Sequence, residues 1–127
     1  AVLFVKETGI DRFAPAIGNM HGISAKPKQI RFDLVEQLKQ ALPKELTFTL
    51  HGGSGIGQSD LRRIVEMGFN NVHISTELRI AYTNALREAL AENLEETTPY
   101  KYLQPARDAV TQIVMEKLKI YNTVNVV

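Results

Sequence analysis

Leu46-Thr47-Phe48-Thr49-Leu50-His51-Gly52-Gly53-Ser54-Gly55-Ile56-Gly57 packs a strand, a loop and the approach to a helix into one short stretch. Leu46 to Leu50 is apolar, β-branched and aromatic, the composition of a buried strand. Four glycines follow His51, too many for a helix and well suited to a tight turn. From about Ser59 to Met67 the pattern becomes helical, and Gly68 stops it. A strand, a glycine-rich turn and a helix in that order form one β/α unit.

The same unit recurs on both sides. Downstream, Asn70-Asn71-Val72-His73-Ile74 predicts another strand. Thr76 is placed to cap a long helix whose apolar stripe is Leu78, Ala81, Tyr82, Ala85, Leu86, Ala89 and Leu90. A polar connection from Glu92 to Pro99 leads to a final helix with Leu103, Ala106, Val110, Ile113, Val114 and Leu118 on one face. Upstream, a helix from about Asp33 to Leu42 is stopped by Pro43, and Asp33 and Glu36 have capping-box spacing. Before it, a loop from Asn19 to Gln29 follows the strand candidate Phe13 to Gly18, which Pro15 weakens. Ala1 to Gly9 reads as the end of a helix closed by glycine.

Alternating strands and helices predict βαβ units and a parallel sheet. The three histidines sharpen this. His51 follows His21 by 30 positions and His73 follows His51 by 22, close to the roughly 30 residues of one barrel unit. Each histidine is therefore expected at or just past the C-terminal end of successive strands, the face where barrel enzymes build their sites. A closed barrel takes eight strands. The expected fold is α/β: about three β/α units plus C-terminal helices, the C-terminal part of a TIM (β/α) barrel over residues 1–127. A chain that opens inside a helix carries the further expectation that the first half of the barrel is missing from it.

Composition narrows the function classes. The chain has 127 residues, 44% hydrophobic and 23% charged, as in soluble globular proteins. A net charge of +1 gives no electrostatic reason to expect nucleic acid or a membrane surface as partner. No apolar run approaches the length of a membrane span. Ala1 to Val5 is followed at once by Lys6 and Glu7, so no signal peptide is expected there. There is no cysteine. Any metal must therefore take His, Asp or Glu, and a cytoplasmic setting is compatible.

His21 and His51 are the candidate metal ligands, since imidazole suits zinc and adjacent parallel strand ends bring side chains together. A single loop histidine is more often a surface or hydrogen-bonded residue, so their common placement matters more than either alone. Gly52, Gly53, Ser54 and Gly55 read as a phosphate cradle, or simply as a tight βα turn. Ser75 and Thr76 offer two hydroxyls at a helix start, or a plain N-cap. Gly18 and Gly22 flank His21 and permit a bent backbone.

"AIGNMHG" (16–22), "TLHGGSG" (49–55) and "NVHISTELRIAY" (71–82) occur in this order. With "FVKETGIDRFA" (4–14) and "YKYLQPARDAV" (100–110), they resemble the C-terminal portion of the class II, zinc-dependent ketose-bisphosphate aldolases, the fructose- and tagatose-bisphosphate aldolase family. The resemblance implies a lyase that handles a phosphorylated ketose, or dihydroxyacetone phosphate plus an aldehyde, through a zinc-stabilised enediolate. It implies His21 and His51 as zinc ligands. Gly22, Gly52, Gly53 and Ser54, with His73, Ile74, Ser75 and Thr76, are implied to contact substrate. Backbone carbonyls around Met20, Gly22 and Gly52 are implied to hold a monovalent cation, Na+ or K+. A homodimer or homotetramer is implied too, and the apolar positions Tyr121 and Val126 look available for it.

The chain also departs from the family pattern. The family's third zinc-binding histidine, its catalytic aspartate and its acidic loop have no counterpart here, so this chain alone is expected to lack a complete site. His73 stands where the family presents an asparagine, which makes it the candidate catalytic residue, an added ligand or a substrate contact. Thr98-Pro99-Tyr100 stands where the family often has Asp-Pro-Arg, and tyrosine cannot replace the bidentate grip of arginine on a distal phosphate. Lys101 offers partial compensation. Beside the bisphosphate aldolase the alternatives are an aldolase for a ketose monophosphate or other non-bisphosphate substrate, a non-catalytic binding or helper subunit, and a different metal-dependent barrel lyase with a related site.

Overall fold

The computed structural model describes residues 1–24 and 27–123. The chain divides into two compact units, Ala1–Ile74 and Ser75–Val127. Among the described residues no helix is long and apolar enough to cross a membrane.

The first unit is built as α1 (Val2–Thr8), β1 (Arg12–Phe13), α2 (Phe32–Ala41), β2 (Thr47–Leu50), α3 (Gln58–Glu66) and β3 (Phe69–Val72). The strands form one sheet in the order β1-β2-β3, and both pairings are parallel. Each strand lies beside its neighbour in sequence and is joined to it by a crossover helix, α2 or α3, the progression expected of successive β/α units.

The central strand is buried on both faces, as parallel strands under helices are. Phe48, Thr49 and Leu50 are all buried, and Leu50 has no exposed surface. Phe13, Phe48 and Phe69 form a ring ladder across the three strands, with centroids 6.4 and 5.4 Å apart. The β2–β3 register slips by one residue between Phe48 and Thr49. Asn70 is the residue skipped, and its side-chain oxygen accepts the Phe48 N–H at 3.4 Å. Helix α3 presents Leu61 and Ile64 to the core, one turn apart and fully buried. Burying side chains of this size contributes about 1.5–3 kcal/mol each. The Arg63 guanidinium of α3 lies 4.1 Å from the centre of the Phe32 ring of α2 and ties the two helices together at the surface.

The second unit holds α4 (Thr76–Glu92), α5 (Pro99–Tyr102) and α6 (Gln104–Ile120). Helices α4 and α6 pack on each other. Lys117 and Glu77 join them in an ion pair of 2.7 Å.

Several expectations need correction. The first strand is not Phe13 to Gly18 but the two residues Arg12 and Phe13. Pro15 lacks the N–H that a longer ladder requires, although its ring is buried. No capping box forms at α2. Its N-cap is Arg31, with no side-chain cap bond, and Asp33 inside the first turn binds Arg31 instead, at 2.8 and 2.6 Å. This contact draws the Asp33 carboxyl down to about 2. Ser75 rather than Thr76 occupies the N-cap of α4. The final helix is two, because Pro99 opens a separate turn. Tyr121 is not an exposed contact residue. It is half-buried, its hydroxyl has no partner among the described residues, and burial beside Glu77 pushes it up to about 12. Val126 lies outside the described residues.

Candidate functional site

Three parallel strands put their C-terminal ends on one side of the sheet. Leu50 ends β2 and His51 follows it directly, while Val72 ends β3 and His73 follows it. The ladder continues one step beyond the strands. The His73 N–H donates to the Leu50 carbonyl at 2.9 Å, and the Gly53 N–H donates to the His73 carbonyl at 3.1 Å. Both backbones are thereby fixed, and both imidazoles point outward into the exposed region. The His51 and His73 rings stand nearly perpendicular with centroids 4.5 Å apart, and their Nδ1 atoms are 3.2 Å apart.

His21 reaches the same place by a longer route. Beyond β1 the chain buries Pro15 and Ile17. The Ile17 N–H donates to Asn19 Oδ1 at 2.7 Å, and Asn19 Nδ2 donates to the His51 carbonyl at 2.9 Å. Asn19 therefore hangs the His21 loop on the end of β2. The His21 ring lies 6.0 Å from that of His51 and is exposed. Among the described residues, no three His, Asp or Glu side chains are grouped so as to hold a metal ion by themselves. The donor chemistry of His21 and His51 suits zinc, but a pair falls short of the three protein ligands of a catalytic zinc.

The glycine-rich loop follows His51 and is tightly seated. Gly52 has φ +63°, and a Cβ there would stand 2.7 Å from the Met20 carbonyl oxygen. A Cβ on Gly53 would stand 2.7 Å from Ile74 Cδ1 and 3.0 Å from the His73 carbonyl. Ile74, half-buried, thus covers the loop rather than facing an open site. Ser54 is buried, and Gly55 beyond it is exposed. Helix α3 then opens behind the N-cap Gly57. Gly22 also has positive φ, +83°, with open space around its Cβ position. Ser75 and Thr76 begin the second unit, where Ser75 is an N-cap without a side-chain capping bond and its carbonyl accepts the Arg79 N–H at 3.1 Å.

Two residues of this region escaped the sequence reading. Asn19 is one. Lys28 is the other: its Nζ donates to the Met20 carbonyl at 2.5 Å, to the Gly52 carbonyl at 2.8 Å, and to the Ser54 carbonyl. Two of the carbonyls expected around a monovalent cation thus converge on an ammonium group. The third is that of Ser54 rather than Gly22, whose carbonyl lies against Gly55. No local pattern signals these contacts, since Asn19 and Lys28 act on partners up to 32 positions away.

Near the start of α5, Tyr100 is 75% exposed. Lys101 is already engaged by Glu96 at 3.1 Å, and Glu96 also accepts the Thr98 N–H at 2.9 Å. Hydrogen bonding from the Thr98 side chain first, then from Lys101 and the Thr98 N–H, holds the Glu96 carboxyl down at about 2.

Comparison with known proteins places this arrangement among relatives. The family described as fructose-bisphosphate aldolase class-II matches residues 1–126. A fructose-bisphosphate aldolase of Staphylococcus aureus is 36% identical over 121 residues, covering 95% of this chain and 42% of the relative. A probable fructose-bisphosphate aldolase of Bacillus subtilis is 35% identical over the same length. Among solved structures, the YdjI aldolase of Escherichia coli K12 superposes with a TM-score of 0.79 at 31% identity, over 98% of this chain and 45% of that one. The fructose-bisphosphate aldolase of Campylobacter jejuni, at 21% identity and TM-score 0.78, supports the fold alone. The chain therefore spans less than half the length of these relatives, and its α/β fold is part of a β/α barrel.

Proposed function

The chain belongs to the class II fructose-bisphosphate aldolase family, and from that premise we propose that it supplies part of the metal site and the phosphate loop of an aldolase acting on a phosphorylated ketose. One observation carries the reading. His51 and His73 directly follow β2 and β3 with their rings 4.5 Å apart, and the His21 ring, carried on the loop after β1, lies 6.0 Å from that of His51, beside the loop Gly52-Gly53-Ser54.

His21 and His51 are the ligands this chain contributes, and further ligands come from outside the described residues. Bound zinc would supply Lewis-acid polarisation of the substrate ketone. The other roles fall to the chain itself. A hydrogen bond across the 3.2 Å contact between His51 Nδ1 and His73 Nδ1 requires one proton there, on one ring or the other. We assign it to His51. His51 Nε2 is then left with its lone pair for the metal, and the partner on Nδ1 fixes the ring, as second-shell groups do. His73 accepts that bond on Nδ1 and so carries its own proton on Nε2, facing outward as a donor to a substrate oxygen. His73 is in this reading the catalytic residue of the chain that touches substrate. Gly22, Gly52, Gly53 and Ser54 make up the substrate-binding set of the first unit, and Ile74, packed against Gly53, supports that loop rather than touching substrate. The glycines offer backbone N–H groups to phosphate, and the Ser54 hydroxyl adds a donor; for Ser75 and Thr76 of the second unit, a phosphate contact rests on the family resemblance alone. Holding phosphate there fixes the ketone relative to the histidines.

Ser54→Ala in the full-length protein tests the phosphate role. KM for the phosphorylated ketose is expected to rise by roughly tenfold, the worth of about one charge-assisted hydrogen bond, while zinc content is unchanged. An unchanged KM would remove Ser54 from the phosphate site.

Tyr100 and the paired Lys101 favour a second reading of the substrate. A bare tyrosine and a lysine already neutralised by Glu96 make a poor grip on a second phosphate. A ketose monophosphate is the substrate this favours. The ratio of kcat/KM for mono- and bisphosphate ketoses is expected to favour the monophosphate, and a strong preference for the bisphosphate would overturn that choice.

A further inference from the structure

Three carbonyl oxygens from two different loops point at one spot: Met20 before His21, and Gly52 and Ser54 after His51. Converging carbonyl dipoles repel one another unless a cation lies between them. The cation here is the Lys28 ammonium, a compact charge whose three N–H donors match three acceptors. Lys39 shows the contrast. It binds a single carbonyl, that of Met67, at 2.5 Å, as an ordinary helix-end lysine does.

We infer that Lys28 is a positioning residue that serves as a built-in monovalent cation, clamping the His21 loop to the His51 loop so that the metal site holds its shape without free Na+ or K+. Met20 is the immediate neighbour of His21 and Gly52 of His51, so the clamp acts on the backbone of both candidate ligands. Asn19 braces the same two loops through the His51 carbonyl, but as a neutral bond that does not neutralise the carbonyl cluster. The inference rests on the zinc-aldolase reading for its metal readout, and a second readout is independent of it.

The test compares the full-length wild type with Lys28→Met, which keeps an unbranched side chain one atom shorter and removes its charge and donors. Zinc affinity is measured by competition with a chelator at constant ionic strength. Tetramethylammonium, too large for the carbonyl cluster, is compared with K+, Na+ or ammonium. The wild type is expected to bind zinc equally in all four. Lys28→Met is expected to lose roughly tenfold to hundredfold in affinity in tetramethylammonium, the usual cost of losing a group that orients a ligand, and to regain most of it with a small cation. Its Tm is expected to rise when K+ replaces tetramethylammonium, while that of the wild type and of Lys39→Met stays fixed. If Lys28→Met does not fold, Lys28→Gln, which keeps two donors without charge, carries the same comparison.

A wild type that needs K+ for its zinc affinity or Tm would overturn the inference. So would a variant that matches the wild type without small cations, or one that no cation restores. Absence of stoichiometric zinc in the wild type would instead sink the zinc reading, and the Tm comparison would still judge Lys28.

Discussion

Replacing His51 by alanine in the full-length protein is expected to reduce bound zinc from stoichiometric to negligible and to lower kcat/KM at least about a thousandfold. Loss of a Lewis acid removes several kcal/mol of transition-state stabilisation, and each 1.4 kcal/mol is about tenfold in rate. The fold should survive. The His51 side chain is exposed, and the bond that braces the loop runs from Asn19 to the His51 backbone carbonyl, which alanine retains. An unchanged circular dichroism spectrum and Tm beside lost zinc would separate a ligand from a structural residue. His21→Ala should behave alike, because its ring lies 6.0 Å from His51 on the same exposed side. His73→Ala should differ from both, still binding zinc, though about tenfold to hundredfold more weakly, while losing turnover, since the proposed role of His73 is to orient His51 and face substrate. Stoichiometric zinc in both His21→Ala and His51→Ala would remove the pair as ligands.

The strand ends that carry these histidines were legible because local chemistry and tertiary demand agree there. Thr47 to Leu50 is β-branched and apolar, and it becomes a strand buried on both faces. Helix α3 was readable for the same reason, with Leu61 and Ile64 one turn apart and Gly68 beyond its end. The first strand was not. Its two paired residues, Arg12 and Phe13, are too few to make a pattern, and the apolar run behind them is core-filling loop around Pro15 and Ile17. Asp33 mimicked a cap because its spacing to Glu36 was right, yet an arginine two residues away outcompeted the backbone N–H groups. The site divides in the same way. Histidines and glycines announced themselves by type and spacing. Asn19 and Lys28 did not, since a loop asparagine or lysine is ordinary until the carbonyls it reaches are known.

The severest backbone test falls on Gly52. Alanine at this position is expected to destabilise the protein by about 2–5 kcal/mol, from two independent costs. A side chain in the left-handed region costs roughly 1–2 kcal/mol, and Gly52 has φ +63°. The added methyl would also lie 2.7 Å from the Met20 carbonyl oxygen, 2.9 Å from its carbon and 3.2 Å from the His21 nitrogen. All three are backbone atoms that cannot rotate aside, and overpacking of this kind adds about 1–3 kcal/mol. Gly22 separates the two costs, because it shares the positive φ but has nothing within 4 Å of its Cβ position. Gly22→Ala should therefore show the conformational cost alone, about 1–2 kcal/mol. Urea unfolding of both variants in the full-length protein measures the difference, and equal losses would mean that the Gly52–Met20 approach is looser than the structure has it. The two should also part in function. Gly52→Ala can relieve its clash only by driving Met20 and His21 away from His51, which pulls apart the carbonyls that Lys28 gathers. Zinc affinity should then fall further than the stability loss alone requires, whereas Gly22→Ala should leave the two loops joined.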